Sequence, residues 1–134
     1  MTVTYTVVPN IGTVVNQGQG FRIKATITND HLFALNDVKL KAISVPANFT
    51  PTAEGVRIPT IPAGGSVTVS MGFDTDASVA VGNHNIDMKC EAYVIGHEWT
   101  VIVSPPTTTH PIGVKDLYPK DTDNQTVVVN IMPE

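Results

Sequence analysis

The sequence predicts an all-β protein, an immunoglobulin-like antiparallel β-sandwich of about seven to nine strands with an extended C-terminal arm. The first observation behind this prediction is the alternation of apolar and polar residues, which is clear in residues 21–28 and 66–73. Since successive side chains along a strand point to opposite faces, each such run has one apolar face to bury. The second observation is that turn residues interrupt the alternation roughly every 8–12 residues, the spacing typical of sandwich strands.

The predicted strands follow one another along the chain, and most of them end at Gly, Pro, Asn or Asp residues, which favour turns. They cover residues 3–8, 21–28, 36–45, 56–61, 66–73, 84–95 and 98–103. Residues 47–55 and 74–82 are predicted to be loops. Pro59 has no backbone N–H to donate to a sheet, so the strand that contains it is expected at a sheet edge. The last two of these strands are predicted to form a hairpin that turns around Gly96.

The C-terminal part of the chain breaks the pattern, and we expect a sandwich domain of residues 1–104 followed by an arm of residues 105–134. The arm begins with a Pro- and Thr-rich stretch, which is typical of an extended, stiff conformation. It ends with a β-branched run at residues 126–132, which predicts one further strand. That strand could return to an edge of its own sandwich or pair with a neighbouring subunit, and the sequence leaves both arrangements open.

Composition excludes several classes of partner. The formal net charge is −4 and the eight Lys and Arg residues are scattered, so no nucleic-acid partner is expected. No apolar run is long enough to cross a bilayer, so no membrane span is expected. The first residues lack the basic segment of a secretory signal. Cys90 is the one cysteine, and its position in the alternation predicts a buried thiol without a disulfide.

No group of residues in the sequence indicates catalysis, a cofactor or a metal ion. The four histidines have no second ligand at metal-binding spacing. The acidic segments at residues 74–76 and 121–124 are interpreted as solvated turns, because neither has the layout of a calcium-binding loop. Trp99 has two interpretations, a core residue between the sheets or an exposed aromatic that contacts carbohydrate. We therefore expect a protein that is not an enzyme and that binds no cofactor.

The block from Gly18 to Val94 resembles a group of bacterial and archaeal immunoglobulin-like modules, the CARDB-type cell-adhesion-related domains and the NEW3-type domains appended to glycosidases. Three motifs carry the resemblance, in order: Gly20–Asn29 ending in Thr-Asn; Leu35–Leu40 followed by Val45-Pro46; and Ile58–Ile61 followed by Ala63–Val69 and Val81–His84. These motifs consist of turn glycines and core positions, so they indicate a fold rather than an activity. The resemblance implies a non-catalytic module of a long exported chain, whereas this chain is short and carries the arm.

Two functions follow as expectations. The first is a structural or interaction subunit of a large assembly, namely a protein that decorates or stabilises the capsid or tail of a virion, with protein partners and self-association through the arm. The second is a cell-surface adhesion or carbohydrate-binding module from a longer exported protein. The location is accordingly a virion, or else the cell surface or the extracellular space. Apolar residues at a loop tip and on the final strand are the candidate interaction residues: Phe33, Leu35, Val127, Val129 and Ile131.

Overall fold

The computed structural model describes residues 1–94 and 120–134, and these residues form nine β-strands and no helix. The strands are β1 (Thr2–Pro9), β2 (Val15–Asn16), β3 (Phe21–Thr28), β4 (Leu35–Ser44), β5 (Phe49–Pro51), β6 (Val56–Ile61), β7 (Ser66–Thr75), β8 (Gly82–Val94) and β9 (Lys120–Met132). The predictions for the strand at residues 98–103, for the Gly96 turn and for Trp99 lie outside the described residues, as does the predicted domain boundary after residue 104.

The strands form two sheets packed as a sandwich, which confirms the predicted fold class. One sheet has the order β1-β3-β7-β5 and the other the order β2-β9-β8-β4-β6. All pairings between these strands are antiparallel except that of β2 with β9. In immunoglobulin terms, β1, β3, β7 and β5 take the positions of strands A, B, E and D, while β4, β8 and β9 take those of C, F and G.

The core lies between the sheets and is built from the inward half of each alternating strand. On β3, Phe21, Ile23, Ala25 and Ile27 are fully buried, whereas the residues between them face outward. The ring of Phe21 stacks on that of Phe73 of β7, with 5.2 Å between the centroids. Burying a side chain of this size stabilises the fold by about 1.5–3 kcal/mol. The apolar residues whose alternation predicts the strands are therefore the residues that form the core.

The C-terminal strand belongs to the sandwich of its own chain. β9 pairs with β8 from Lys120 to Ile131, opposite Tyr93 to Gly82. It begins at Lys120 rather than at residue 126, because the ladder with β8 continues through residues that are polar. The prediction of a solvated turn at residues 121–124 was therefore wrong, since these residues lie inside β9.

Two short strands were not predicted. Residues 47–55 were expected to be a loop, but β5 (Phe49–Pro51) pairs there with β7. It buries the ring of Phe49 edge-on against Phe21, with 5.9 Å between the centroids. β2 has only two residues and pairs in parallel with the end of β9. Strands of two or three residues show no measurable alternation, so only their tertiary partners reveal them.

The predicted edge strand is confirmed, because β6 lies at the edge of the five-stranded sheet and, among the nine described strands, pairs only with β4. The expected burial of Cys90 is also confirmed. Burial, followed by the nearby carboxylates of Asp123, Asp121 and Glu91, raises the pKa of this thiol to about 12. The thiol therefore stays protonated at neutral pH, and it packs 3.7 Å from the sulfur of Met1.

Candidate functional site

One end of the sandwich gathers polar and apolar side chains around a groove. β3 ends there at Thr28, and the loop of residues 29–34 leads on to β4. Met1 and the start of β9 lie at the same end, because β1 pairs with β3 and β9 pairs with β8 in antiparallel ladders. The groove has a volume of about 520 Å³ and is lined by Asp30, His31, Leu32, Phe33, Val94, Lys120 and Asp121.

A buried amide at Asn29 holds the loop of this groove in place. Its Nδ2 donates hydrogen bonds of 2.9 Å to the carbonyls of Phe33 and Ile61, and its Oδ1 accepts one of 3.0 Å from the backbone N–H of His31. The backbone N–H of Asn29 donates a hydrogen bond to the carbonyl of Gly65, and the carbonyl of Asn29 accepts one from the N–H of Gly64. Gly64 lies in the turn between β6 and β7 and has a φ of 75°. Every polar group of Asn29 is therefore used to position the residues that follow it.

The polar side of the groove is a cluster of charges around the N-terminal ammonium of Met1. The ammonium donates hydrogen bonds to Asp30 and, over 2.7 Å, to Asp121. His31 Nε2 lies 3.5 Å from the ammonium and donates a 2.6 Å hydrogen bond to Asp121. Thr2 Oγ1 donates a 2.8 Å hydrogen bond to the other oxygen of Asp30. The cluster thus ties the start of β1 to the loop after β3 and to the start of β9.

These contacts stabilise the charged forms of the groups: they raise the pKa of the ammonium and lower the pKa values of the two carboxyls. Burial lowers the pKa of the Met1 ammonium, but the hydrogen bonds to Asp121 and Asp30 outweigh burial and raise it above its usual 8.0. Hydrogen bonds from the ammonium and from Thr2 lower the pKa of Asp30 to about 2. Burial raises the pKa of Asp121, but the bonds from the ammonium and His31 outweigh it, and the net shift is downward.

The same cluster has the ligand types that could hold a metal ion. Asp30, His31 and Asp121 each offer one ligand atom, and these atoms lie within 4.8 Å of one another. The ammonium of Met1 contacts all three of these side chains. In this structure, the cation bound by the cluster is therefore the N-terminus of the same chain. Within residues 1–94 and 120–134, no other group of three such residues is brought together.

The apolar side of the groove is formed by the tip of the loop after β3 and the end of β8. Leu32 is 89% exposed and Phe33 is 38% exposed, and Val94 lines the groove beside them. Large exposed side chains are common singly, whereas these two follow one another on a loop that Asn29 holds from beneath, and together they form an exposed apolar patch. We call the pair Leu32 and Phe33 the apolar tip.

The predicted interaction residues fall in two different places. Phe33 lies on the apolar tip. Leu35 is buried in the core at the start of β4, because an irregularity in the pairing with β8 between Asn36 and Lys39 changes the phase of the alternation and turns this side chain inward. The three residues predicted on the final strand also face the core of their own chain, where they are not available as an exposed contact surface: Val127, Val129 and Ile131.

The sequence analysis did not predict several residues of the groove. Leu32 carries the same signal as its neighbour Phe33, an apolar side chain at a polar loop tip. The charge cluster has no local signal, because Asp121 is 90 residues from His31 and 120 residues from Met1. Only the pairing of β9 with β8 brings this carboxylate to the loop after β3.

Among the described residues, His84 and Cys90 add no reactive group to this end of the molecule. His84 lies at the start of β8, where its Nε2 is 2.7 Å from the carbonyl of Ala80 and its ring packs 5.1 Å from that of Phe49. His97 and His110 lie outside the described residues. Cys90 is buried and its raised pKa disfavours the thiolate, the form that acts as a nucleophile.

Comparison with known proteins gives no match from which a role for this groove could be inferred. Neither a family model nor a curated protein matches the chain. The resemblance to CARDB-type and NEW3-type modules therefore stays a prediction. In the part of the chain that the structure describes, no helix has the length and apolar character needed to cross a membrane.

Proposed function

We propose that this protein is a non-enzymatic interaction subunit of a larger assembly, and that the apolar tip and its groove are the surface that contacts the assembly. The observation that carries the proposal is the exposure of Leu32, 89%, on a loop that the buried amide of Asn29 holds from below. A loop fixed in this way loses little conformational entropy on binding, so its apolar side chains add affinity at low cost.

The surroundings of the tip support a protein partner. The groove combines apolar walls with Asp30, Lys120 and His31 at its margin. Protein interfaces have this composition, an apolar centre with polar groups around it. A partner with an apolar side chain for the groove and a basic group for Asp30 fits this surface.

The class of assembly that we propose is a virion, as expected from the sequence. The support is that the fold needs no disulfide and buries its one cysteine, which suits assembly inside a reducing compartment. An adhesion or carbohydrate-binding role is the competing outcome of the experiment.

The experiment substitutes the tip in the full chain and measures incorporation into the native particle. Leu32→Glu is expected to lower the amount of the chain in particles purified on a density gradient by about tenfold or more, a loss of roughly 1.4 kcal/mol. The matched control is Ile11→Glu, which changes an exposed apolar residue at the opposite end of the sandwich and should leave incorporation unchanged.

Two results would contradict the proposal. Equal incorporation of Leu32→Glu and the unsubstituted chain would show that the tip is not the contact surface. A chain that stays out of particles and binds an array of glycans would establish the adhesion or carbohydrate-binding role instead.

A further inference from the structure

The outer face of the five-stranded sheet carries most of the basic side chains that the structure describes. In the ladders of β4 with β6 and β8, buried residues pair with buried residues, so the residues between them project from the outer face. Five of the seven Lys and Arg residues within residues 1–94 and 120–134 project there, from four neighbouring strands: Lys39 and Lys41 of β4, Arg57 of β6, Lys89 of β8 and Lys120 of β9. We call these five residues the basic face.

The basic face concentrates positive charge on a chain whose formal net charge is −4. Three acidic residues lie on the same side of the sheet: Asp37, Asp87 and Glu91. Elsewhere in the described residues, two basic side chains stand against seven acidic ones. The molecule therefore separates its charges strongly, although the basic residues are scattered along the sequence and only strand pairing brings them together.

The chain's own carboxylates show how these cations engage an acidic group. The carboxylate of Glu91 lies between two lysines, 3.5 Å from Lys89 Nζ and 3.7 Å from Lys120 Nζ. The carboxylate of Asp37 is likewise shared by two cations: Arg57 at 2.5 Å and Lys39 at 3.8 Å. Of the five cations, Lys41 alone forms no ion pair with another described residue.

The charge of Lys41 is not merely unpaired but opposed. Lys41 is exposed and lies directly opposite Lys89 in the ladder between β4 and β8. Like charges at directly opposed positions destabilise a sheet, because the Cβ atoms there are only about 4.5–5.5 Å apart. On the other side of Lys89, the same row continues to the amide of Asn124 on β9. An acidic group placed between the two lysines would remove their repulsion and accept hydrogen bonds from the row.

We propose that the basic face binds an acidic segment of a protein partner, with one carboxylate of that segment between Lys41 and Lys89. The segment crosses the strands, because the cations are spread over β6, β4, β8 and β9, with about 4.7–4.9 Å between neighbouring strands. Its carboxylates complement the positive charge that the two carboxylates in contact with the face leave unbalanced.

The mixed charge of the face favours a polypeptide over a nucleic acid. A nucleic-acid strand carries a negative charge at every phosphate, so it would bring like charges to Glu91 in the middle of the face and to Asp87 at its margin. A polypeptide can place carboxylates beside the lysines and neutral or basic residues beside Glu91. Such complementary patterns of both signs are found at interfaces between proteins.

The basic face continues into the groove of the apolar tip through Lys120. This residue lines that groove, and it also lies opposite Tyr93 on the outer face, with its ammonium 5.4 Å from the centre of the ring. One partner can therefore cover the tip and the basic face together. We identify this partner with the one proposed above, so the acidic segment rests on the proposed function and adds the charge of the partner to it.

The first experiment measures by fluorescence anisotropy how the full chain binds a labelled peptide of alternating Glu and Ala residues. The unsubstituted chain should bind this peptide at low salt and lose affinity as ionic strength rises. Lys41→Glu should raise the dissociation constant by about tenfold or more. The same substitution should not lower stability against urea, because the new carboxylate lies opposite Lys89 and replaces a repulsion with an attraction.

The matched control for this substitution is Lys24→Glu. It changes the net charge by the same amount on the outer face of the other sheet, opposite the neutral side chains of Thr6 and Ser70. Salt screens charges that are separated by more than about 10 Å, so the dissociation constant should change by less than about twofold. Equal effects of the two substitutions would overturn the inference, because binding would then follow net charge alone.

Two further results would also overturn it. One is an unsubstituted chain that does not bind the peptide at low salt. The other is tighter binding of single-stranded oligothymidine of equal charge, which would assign the basic face to a nucleic acid.

The particle assay separates this inference from the proposed function. Full incorporation of Lys41→Glu together with loss of Leu32→Glu would overturn the acidic segment and support the apolar tip as the contact surface. The reverse pattern, loss of Lys41→Glu and full incorporation of Leu32→Glu, would support the basic face and contradict the proposed role of the tip.

Discussion

The buried amide of Asn29 connects the core to the apolar tip. Its side chain satisfies three backbone groups, on His31, Phe33 and Ile61, and no solvent reaches it. Sequence reasoning placed Asn29 at the end of a strand. It could not place the carbonyl of Ile61, which lies 32 residues away and completes the arrangement.

Replacing this residue should destabilise the fold strongly. Asn29→Ala leaves buried backbone groups without partners, at a cost of about 1–3 kcal/mol for each group that water cannot reach, so we expect a loss of about 2–4 kcal/mol in the free energy of unfolding. Urea denaturation followed by circular dichroism measures it. Asn85→Ala, on the exposed face of β8, is the control and should change stability by less than about 0.5 kcal/mol. Equal losses in the two variants would refute this role of Asn29.

The charge cluster at Met1 should make stability depend on pH at both ends of the range. The lowered pKa values of Asp30 and Asp121 contribute stability that is complete above about pH 4 and is lost as pH falls through these lowered values, about 2 for Asp30. The raised pKa of the ammonium contributes stability below about pH 8 that is lost as pH rises further. Asp30 is half exposed, so solvent screening keeps its share small.

Variants of the cluster test this pH dependence. In the Asp30→Asn and Asp121→Asn double variant, the free energy of unfolding from urea titrations should vary less with pH, both below pH 4 and above pH 8. Glu54→Gln removes an exposed carboxylate in the loop after β5 and serves as the control. An unchanged pH profile in the double variant would show that the cluster does not contribute to folding.

Among the elements, β9 combines two halves of different character. Its first half carries Asp121 and Asp123 and takes part in the charge cluster through Asp121, whereas its second half buries Val127, Val129 and Ile131 in the core. The sequence predicted the second half, because β-branched residues alternate there. It could not predict the first half, whose strand conformation depends on the ladder with β8.

If β9 belongs to the core of its own chain, a cavity in its second half should destabilise the monomer. Val129→Ala removes buried methyl groups, and we expect a loss of about 2 kcal/mol in the free energy of unfolding. Val81→Ala removes the same atoms from an exposed site between β7 and β8 and should cost less than about 0.5 kcal/mol. Chemical denaturation at a protein concentration low enough to exclude dimers gives both values. If Val129→Ala were as stable as Val81→Ala, β9 would not be packed as described.

On the scale of the whole molecule, the two sheets bring the N-terminus, the loop after β3 and the start of β9 to one end of the sandwich. This surface is not continuous in the sequence, because β1 and β9 belong to different sheets and meet only when the sheets pack, as the contact of Met1 with Asp121 shows. This is why the candidate residues predicted from local pattern miss the charge cluster, whereas Leu32 carries the same local signal as Phe33.

The sequence by itself determined the fold class, the alternating strands β3, β4, β6, β7 and β8, the edge position of β6 and the burial of Cys90. These features depend on local alternation and on residue types such as Pro59, whose effects act within one strand. Only the tertiary structure decided that β9 pairs with β8 of its own chain, that Val129 and Leu35 face the core, and that Asp121 meets Met1. Those outcomes depend on which strands pair and in which register. The energy of pairing between segments that are distant along the chain produces no periodic pattern of residues, so sequence analysis does not detect it.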